Sequence, residues 1–219
     1  MGTLEVRVLG SIAVLRDGVA VPLPRSRKVR ALLALLAMSP APMTRSRLCD
    51  LLWDAPNDPR GELRWVLSKL RPLLDDDGRR RVVTDGDSVA LDLTDCRVDV
   101  REIEAAVRGG LDTLSAERLA ELCDLGRGDV LEGVHLDGPE ITGWLTAQRQ
   151  RLRGMQIELL DALVRRMPAA AETFARLDAW LQLAPFDRRA HEVMLAALLR
   201  AGRVRDAEEH LAAAIRGFE

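Results

Sequence analysis

Residues 4–23 alternate apolar and polar positions: Leu4, Val6 and Val8 with Glu5 and Arg7 between them, then Ile12 and Val14, then Val19, Val21 and Leu23. A period of two marks half-buried strands, and Asp17-Gly18 between the later runs is a hairpin signal, because a type I′ turn needs positive φ at both central residues. The pattern predicts a small antiparallel sheet over residues 4–23. From Ser26 the period changes. Val29, Leu32, Leu33 and Leu36 recur at helical spacing, Ser26 is placed to cap the helix, and Pro40 and Pro42 end it after Met38. Thr44 caps a second helix that turns Leu48, Leu51 and Leu52 inward and ends at Trp53, and residues 54–59 read as a turn-rich loop. A third helix spans about Pro59 to Leu74, with Leu63, Val66, Leu67, Leu70 and Leu74 on one face. Arg64, Trp65, Ser68 and Arg71 lie beside or opposite that face, and Lys69 lies at its far edge. Arg79, Arg80 and Arg81 then lead into a second hairpin, turning at Asp85-Gly86-Asp87.

From residue 99 onward the pattern is helical almost throughout: about 101–108, 115–124, 139–166, 170–184, 187–200 and 204–218, with breaks at Pro168, Pro185 and Gly202. Displacing the chain by 36 residues aligns Leu159 with Leu195, Leu163 with Leu199, and Ala171-Glu172 with Ala207-Glu208. That period is near the ~34 residues of a tetratricopeptide unit, so a stack of antiparallel helix pairs is expected. The last helix runs to Glu219 without a capping glycine or proline, and helical arrays end in an atypical polar cap. The expectation is a natural protein that continues.

Charge adds what the pattern leaves out. The total of 219 residues carries 32 basic and 34 acidic side chains, a net −2 that shows no preference for a polyanion. Residues 1–98 hold 16 basic against 13 acidic, however, and Arg25–Arg71 alone hold ten against four. A basic segment is therefore diluted by an acidic helical half. Almost all of that charge is arginine, Lys28 and Lys69 being the lysines. The longest apolar run, Ala31–Met38, is far below the ~20 residues of a membrane span. The N-terminus has no signal-peptide pattern, and Cys49, Cys96 and Cys123 form neither a disulfide framework nor a zinc cluster, so a reducing cytoplasm is expected.

Sheet, three helices and a hairpin, in that order, describe a winged helix with an added N-terminal sheet. In such a fold the third helix enters the major groove and the hairpin, or wing, touches flanking backbone or the minor groove. The fold class expected is thus an α+β winged helix over residues 1–98, followed by an all-α, tetratricopeptide-like domain over 99–219. The residues expected at DNA are Arg64, Trp65, Ser68, Lys69 and Arg71 of the third helix, Arg45 and Arg47 of the second, and Arg79, Arg80, Arg81 and Thr84 of the wing. Arginine pairs bidentately with guanine and neutralises phosphate; the arginine triple is read as a backbone contact. Gly61 and Glu62 weaken the helicity and the positive field at the start of the third helix. Trp65 reads equally as a contact to a thymine methyl or sugar and as a packing residue.

The sequence LEVRVLG at Leu4–Gly10, KVRALLA at Lys28–Ala34, Leu63-Arg64 with LSKLR at Leu67–Arg71, and GDVLEG at Gly128–Gly133, with Asp99-Val100, Trp144-Leu145 and Gln148-Arg149, resembles the SARP-type antibiotic regulatory activators along nearly the whole chain. The resemblance implies an OmpR-type winged helix joined to a bacterial transcriptional activation domain. It further implies activation from direct-repeat promoter DNA, RNA polymerase as a partner and homodimers on DNA. It departs at Trp65, where the family often has a small or amide residue. A helical-repeat interaction module whose winged helix binds protein is the alternative.

No chemistry of another kind emerges. His135, His191 and His210 are isolated in sequence, no HExxH, GxSxG or Walker-type loop is present, and Asp75-Asp76-Asp77 reads as a solvated linker. No enzyme activity, cofactor or metal is expected.

Overall fold

A computed structural model describes residues 3–54, 58–76, 78–126, 128–167 and 171–218. Positions 55–57 of the loop read at 54–59, Asp77, Arg127, the Pro168 break and Glu219 lie outside the described residues. Packing divides the chain into two compact units: residues 1–104 with 125–152, and residues 105–124 with 153–219.

In the first unit β1 (Leu4–Arg7), β2 (Ala13–Arg16) and β3 (Val19–Val21) form an antiparallel meander. Its turn at Asp17 and Gly18 has φ of 52° and 78°, as a type I′ hairpin requires. Helix α1 (Arg27–Met38) is buried nearly all round, with Ala31 to Met38 enclosed, so it forms the centre of the unit rather than one side of it. Strand β4 (Met43–Thr44) leads into α2 (Arg45–Leu52), whose first turn is capped by the Thr44 hydroxyl accepting from the Arg47 N–H at 3.2 Å. Helix α3 (Pro59–Leu74) packs on α1 and α2 through Leu63, Val66, Leu67, Leu70 and Leu74. The wing is β5 (Val82–Asp85) and β6 (Ser88–Leu91), and β4 joins it to give the order β4-β6-β5.

Two features of this unit have no sequence signature. Strand β7 (Arg97–Val98) pairs in parallel with β1, Val6 opposite Val98, and completes a four-stranded sheet. The segment 129–132 is clasped to the end of β1: Gly10 N–H donates to the Asp129 carbonyl at 2.9 Å and Leu131 N–H to that of Val8 at 3.2 Å. The compact units therefore differ from the division of the sequence at residue 98, because residues 125–152 pack back on the first unit. Helix α4 (Asp99–Gly109) starts in this unit, as does α6 (Pro139–Val164).

The second unit contains most of α5 (Ala116–Leu125), the end of α6, α7 (Ala171–Leu183), α8 (Arg188–Arg200) and α9 (Val204–Phe218). Its core gathers Leu160, Val164, Leu177, Met194, Ala197 and Leu198 around Trp180, which is fully buried. The Trp180 indole N–H donates to Asp187 Oδ2 at 3.1 Å, and Asp187 also caps α8 by accepting from Arg189 N–H at 3.0 Å. His191 and His210, isolated in sequence, meet across α8 and α9 with Nδ1 and Nε2 3.0 Å apart. Among the described residues no helix is long and apolar enough to cross a membrane.

Candidate nucleic-acid interface

Helix α3 begins at a cap that determines what its first turn can hold. The Asp58 carboxylate accepts from Gly61 N–H at 2.8 Å, and a Cβ at position 61 would stand 2.1 Å from Asp58 Oδ2. Gly61, a helix-weakening residue by propensity, is thus the residue that this cap admits. Asp58→Ala is expected to cost about 1 kcal/mol of stability, read as an earlier urea midpoint with an unchanged slope.

The polar side of α3 carries Arg60, Arg64 and Arg71 along one stripe. They line a groove of about 510 Å³ facing the wing turn, which Arg45, Leu67, Gly86 and Asp87 complete. Arg45 is positioned by its own main chain, whose N–H donates to the Asp87 carbonyl at 2.7 Å, and its Nε approaches the Gly86 carbonyl at 3.4 Å. Arg64 lies 3.6 Å from Asp58 with both side chains about two-thirds exposed, a surface pair of little worth that leaves the guanidinium available to a stronger anion. A second cavity, of about 660 Å³, adjoins Arg71 and is lined by Asp75, Arg80, Val82, Val83 and Thr84 of the wing. Five arginines thus lie around two neighbouring hollows between α3 and the wing. Arg60 was not among the sequence candidates. It falls on the same stripe as Arg64 and Arg71, so helical projection alone contains the signal.

Trp65 is exposed on α3 at 49%, with Lys69 Nζ 5.5 Å from its ring centroid. Ser68 is exposed beside it, its hydroxyl donating to the Trp65 carbonyl at 2.6 Å.

Three of the expected contacts are placed otherwise. Arg47 stands apart from the groove and pairs with Glu140 at 3.2 Å. Arg81 is only 2% exposed; its guanidinium binds both oxygens of Asp95, at 2.6 and 3.2 Å, and reaches Asp76 at 3.3 Å and the Cys96 Sγ at 3.0 Å. Arg79 bridges Asp92 and Asp95, each at 2.7 Å. The arginine triple is therefore not a run of three backbone contacts. Arg80 faces outward, and its neighbours fasten the foot of the wing to the 92–96 loop. The Arg81 hydrogen bond holds the Asp95 carboxyl far below the usual carboxylate range, and bonds from Thr94 and Arg79 bring Asp92 down to about 2. Asp75 and Asp76 are not a solvated linker either. Asp75 accepts from the Arg81 and Val82 N–H groups at 2.8 and 3.2 Å, and Asp76 takes part in the Arg81 network.

The family described as bacterial transcriptional activator domain matches residues 91–216. Regulatory protein AfsR of Streptomyces coelicolor is 29% identical over 219 residues, a match covering 94% of this chain and 21% of that protein, so the chain spans about a fifth of its relative. Mycobacterium tuberculosis EmbR, solved in complex with a low affinity phosphopeptide, shares the fold with a TM-score of 0.73 at 21% identity, over 98% of this chain and 59% of that one.

Proposed function

The chain belongs to the SARP-type transcriptional regulators that carry the bacterial transcriptional activator domain, and from that membership we propose that it is a sequence-specific DNA-binding activator. In this reading residues 1–98 supply the DNA-binding part and residues 99–219 the activation part. Helix α3 lies in the major groove of double-stranded promoter DNA, the wing follows the flanking backbone, and two copies occupy direct repeats. The helical part recruits RNA polymerase, and the whole works in the cytoplasm without a cofactor. The observation that carries the DNA reading is the meeting of Arg45, Arg60, Arg64 and Arg71 around one groove, with Arg80 beside it. A groove lined by guanidinium groups suits phosphate oxygens and guanine edges.

The test is fluorescence polarisation on duplexes selected from a random library by the chain itself. If all five arginines neutralise phosphates, log K falls against log salt with a slope of about −4.5. Arg80→Ala lowers affinity equally for all sequences and reduces the slope by about 1, whereas Arg64→Ala costs about 1–3 kcal/mol on the selected site and relaxes its sequence preference. Affinity indifferent to both salt and sequence refutes the proposal. The alternative, a winged helix that binds protein, has the exposed Trp65 in its favour, and recovery of a protein partner by a chain with no measurable DNA affinity supports it.

A further inference from the structure

Helix α3 offers two chemically different edges. The edge facing the wing carries the guanidinium groups of Arg60, Arg64 and Arg71. The other presents Trp65, a large apolar side chain half open to solvent on a helix whose leucines and valine are buried. Helical side chains lean toward the N-terminus, and the position one turn before Trp65 is Gly61, whose side-chain space holds the Asp58 carboxylate and no apolar group. One turn after it, Lys69 Nζ stands 5.5 Å from the indole centroid.

We propose that Trp65 is a specificity-determining residue that reads the C5-methyl group of a pyrimidine in the major groove. The inference rests on the DNA-binding reading above and goes beyond it in naming the base feature recognised. In that groove the C5-methyl is the apolar group that base pairs display, and the flat edge of an indole is its complement. The surroundings favour a nucleic acid over a protein. A protein partner that covered Trp65 would also bury Arg64 and Lys69, which have one weak carboxylate contact between them. Against DNA the same cations face phosphate. The methyl belongs to thymine or to 5-methylcytosine, and the two are separable by experiment.

The full chain is used to select duplexes from a random library, and the selected site is then remade with each thymine replaced singly by deoxyuridine, and each cytosine singly by 5-methylcytosine. Loss of one buried methyl is worth about fourfold in affinity. The expected result is one thymine position at which deoxyuridine weakens binding about fourfold, an effect absent in Trp65→Ala and retained in Trp65→Phe. If thymine is not the source, 5-methylcytosine strengthens binding at one position by a similar factor, again only with an aromatic residue at 65. Salt-dependent DNA binding with no methyl-sensitive position, or with the same sensitivity in Trp65→Ala, overturns the inference and leaves the DNA reading standing. Absence of DNA binding altogether overturns both. Because Trp65 is half exposed, the alanine variant is expected to fold, which its unchanged salt slope verifies.

Discussion

Arg81→Ala is expected to destabilise the first unit by about 3 kcal/mol, seen as a lower urea midpoint, and to weaken DNA binding through the position of the wing. Breaking a buried ion pair from one side costs about 3–5 kcal/mol when the remaining charge is trapped. Here the abandoned partners, Asp95 and Asp76, are 41% and 32% exposed, and Arg79 still holds Asp95 at 2.7 Å. Those facts place the loss at the low end of the range. The buried stem of the arginine adds packing that alanine does not replace. Arg81→Met keeps that stem and removes Nε, a buried donor without a partner, so it is expected to lose less than alanine. Arg81→Lys is no conservative change, since one ammonium does not reproduce the fork that spans both oxygens of Asp95. The effect on DNA follows because β5 begins at the next residue, and its position relative to α3 shapes the groove that Arg45 and Arg71 share. An alanine variant as stable as the wild type removes Arg81 from this role.

Asp99→Ala is expected to cost on the order of 3 kcal/mol at pH 7. Asp99 is 3% exposed and accepts from three main-chain N–H groups: Val8 and Val100 to Oδ1 at 3.0 and 2.7 Å, and Val8 and Leu9 to Oδ2 at 2.8 and 2.9 Å. Alanine strands three buried donors at about 1–3 kcal/mol each, and returns part of that by removing a charge from the interior. Burial pushes the Asp99 carboxyl up to about 6, against the downward pull of the N–H groups and with a further rise from the charge of Glu5. In the unfolded chain it titrates near ~3.9, so between pH ~4 and ~6 the folded state binds the extra proton. Stability therefore declines as pH rises through that window, by on the order of 3 kcal/mol, and is level above it. Asp92 and Asp95, held low, act in the opposite direction and only as the pH falls below about 4. Urea titrations from pH 4.5 to 7.5 compare the wild type with Asp99→Asn, because His210, held below the usual imidazole range by burial and by His191, contributes stability that rises with pH in the same window. Asp99→Asn is expected to flatten the profile, because the amide does not ionise, and to lie below the wild type at pH 7, because its NH2 faces other donors. An Asp99→Asn profile with the same slope as the wild type contradicts the assignment.

The groove residues differ in how far the sequence exposed them. The α3 stripe was open to helical projection: the leucines that face α1 and α2 oblige Arg60, Arg64 and Arg71 to face away. The neighbouring triple was misleading, because three consecutive arginines look alike in sequence. Asp76, Asp92 and Asp95 decide which of them are held, and they lie 5 to 16 residues from the arginines they pair with. Arg47 likewise finds Glu140, 93 residues away.

Local periodicity by itself determined the elements. Period-two alternation fixed the N-terminal sheet, Asp-Gly its turn, and the leucine spacings with Ser26, Thr44 and the prolines fixed the extents of α1 to α3. These are interactions within a few residues, which a sequence carries in full. Strand β7, the clasp of 129–132 on β1 and the buried carboxylate of Asp99 were decided by the tertiary structure alone. Each joins groups about 90 to 120 residues apart and uses main-chain N–H donors, which every residue but proline possesses and no sequence pattern marks. The same holds for the groove: α3 brings its charge by local rules, but its width and its fourth arginine, Arg45, exist only because the wing turn folds back against the start of α2.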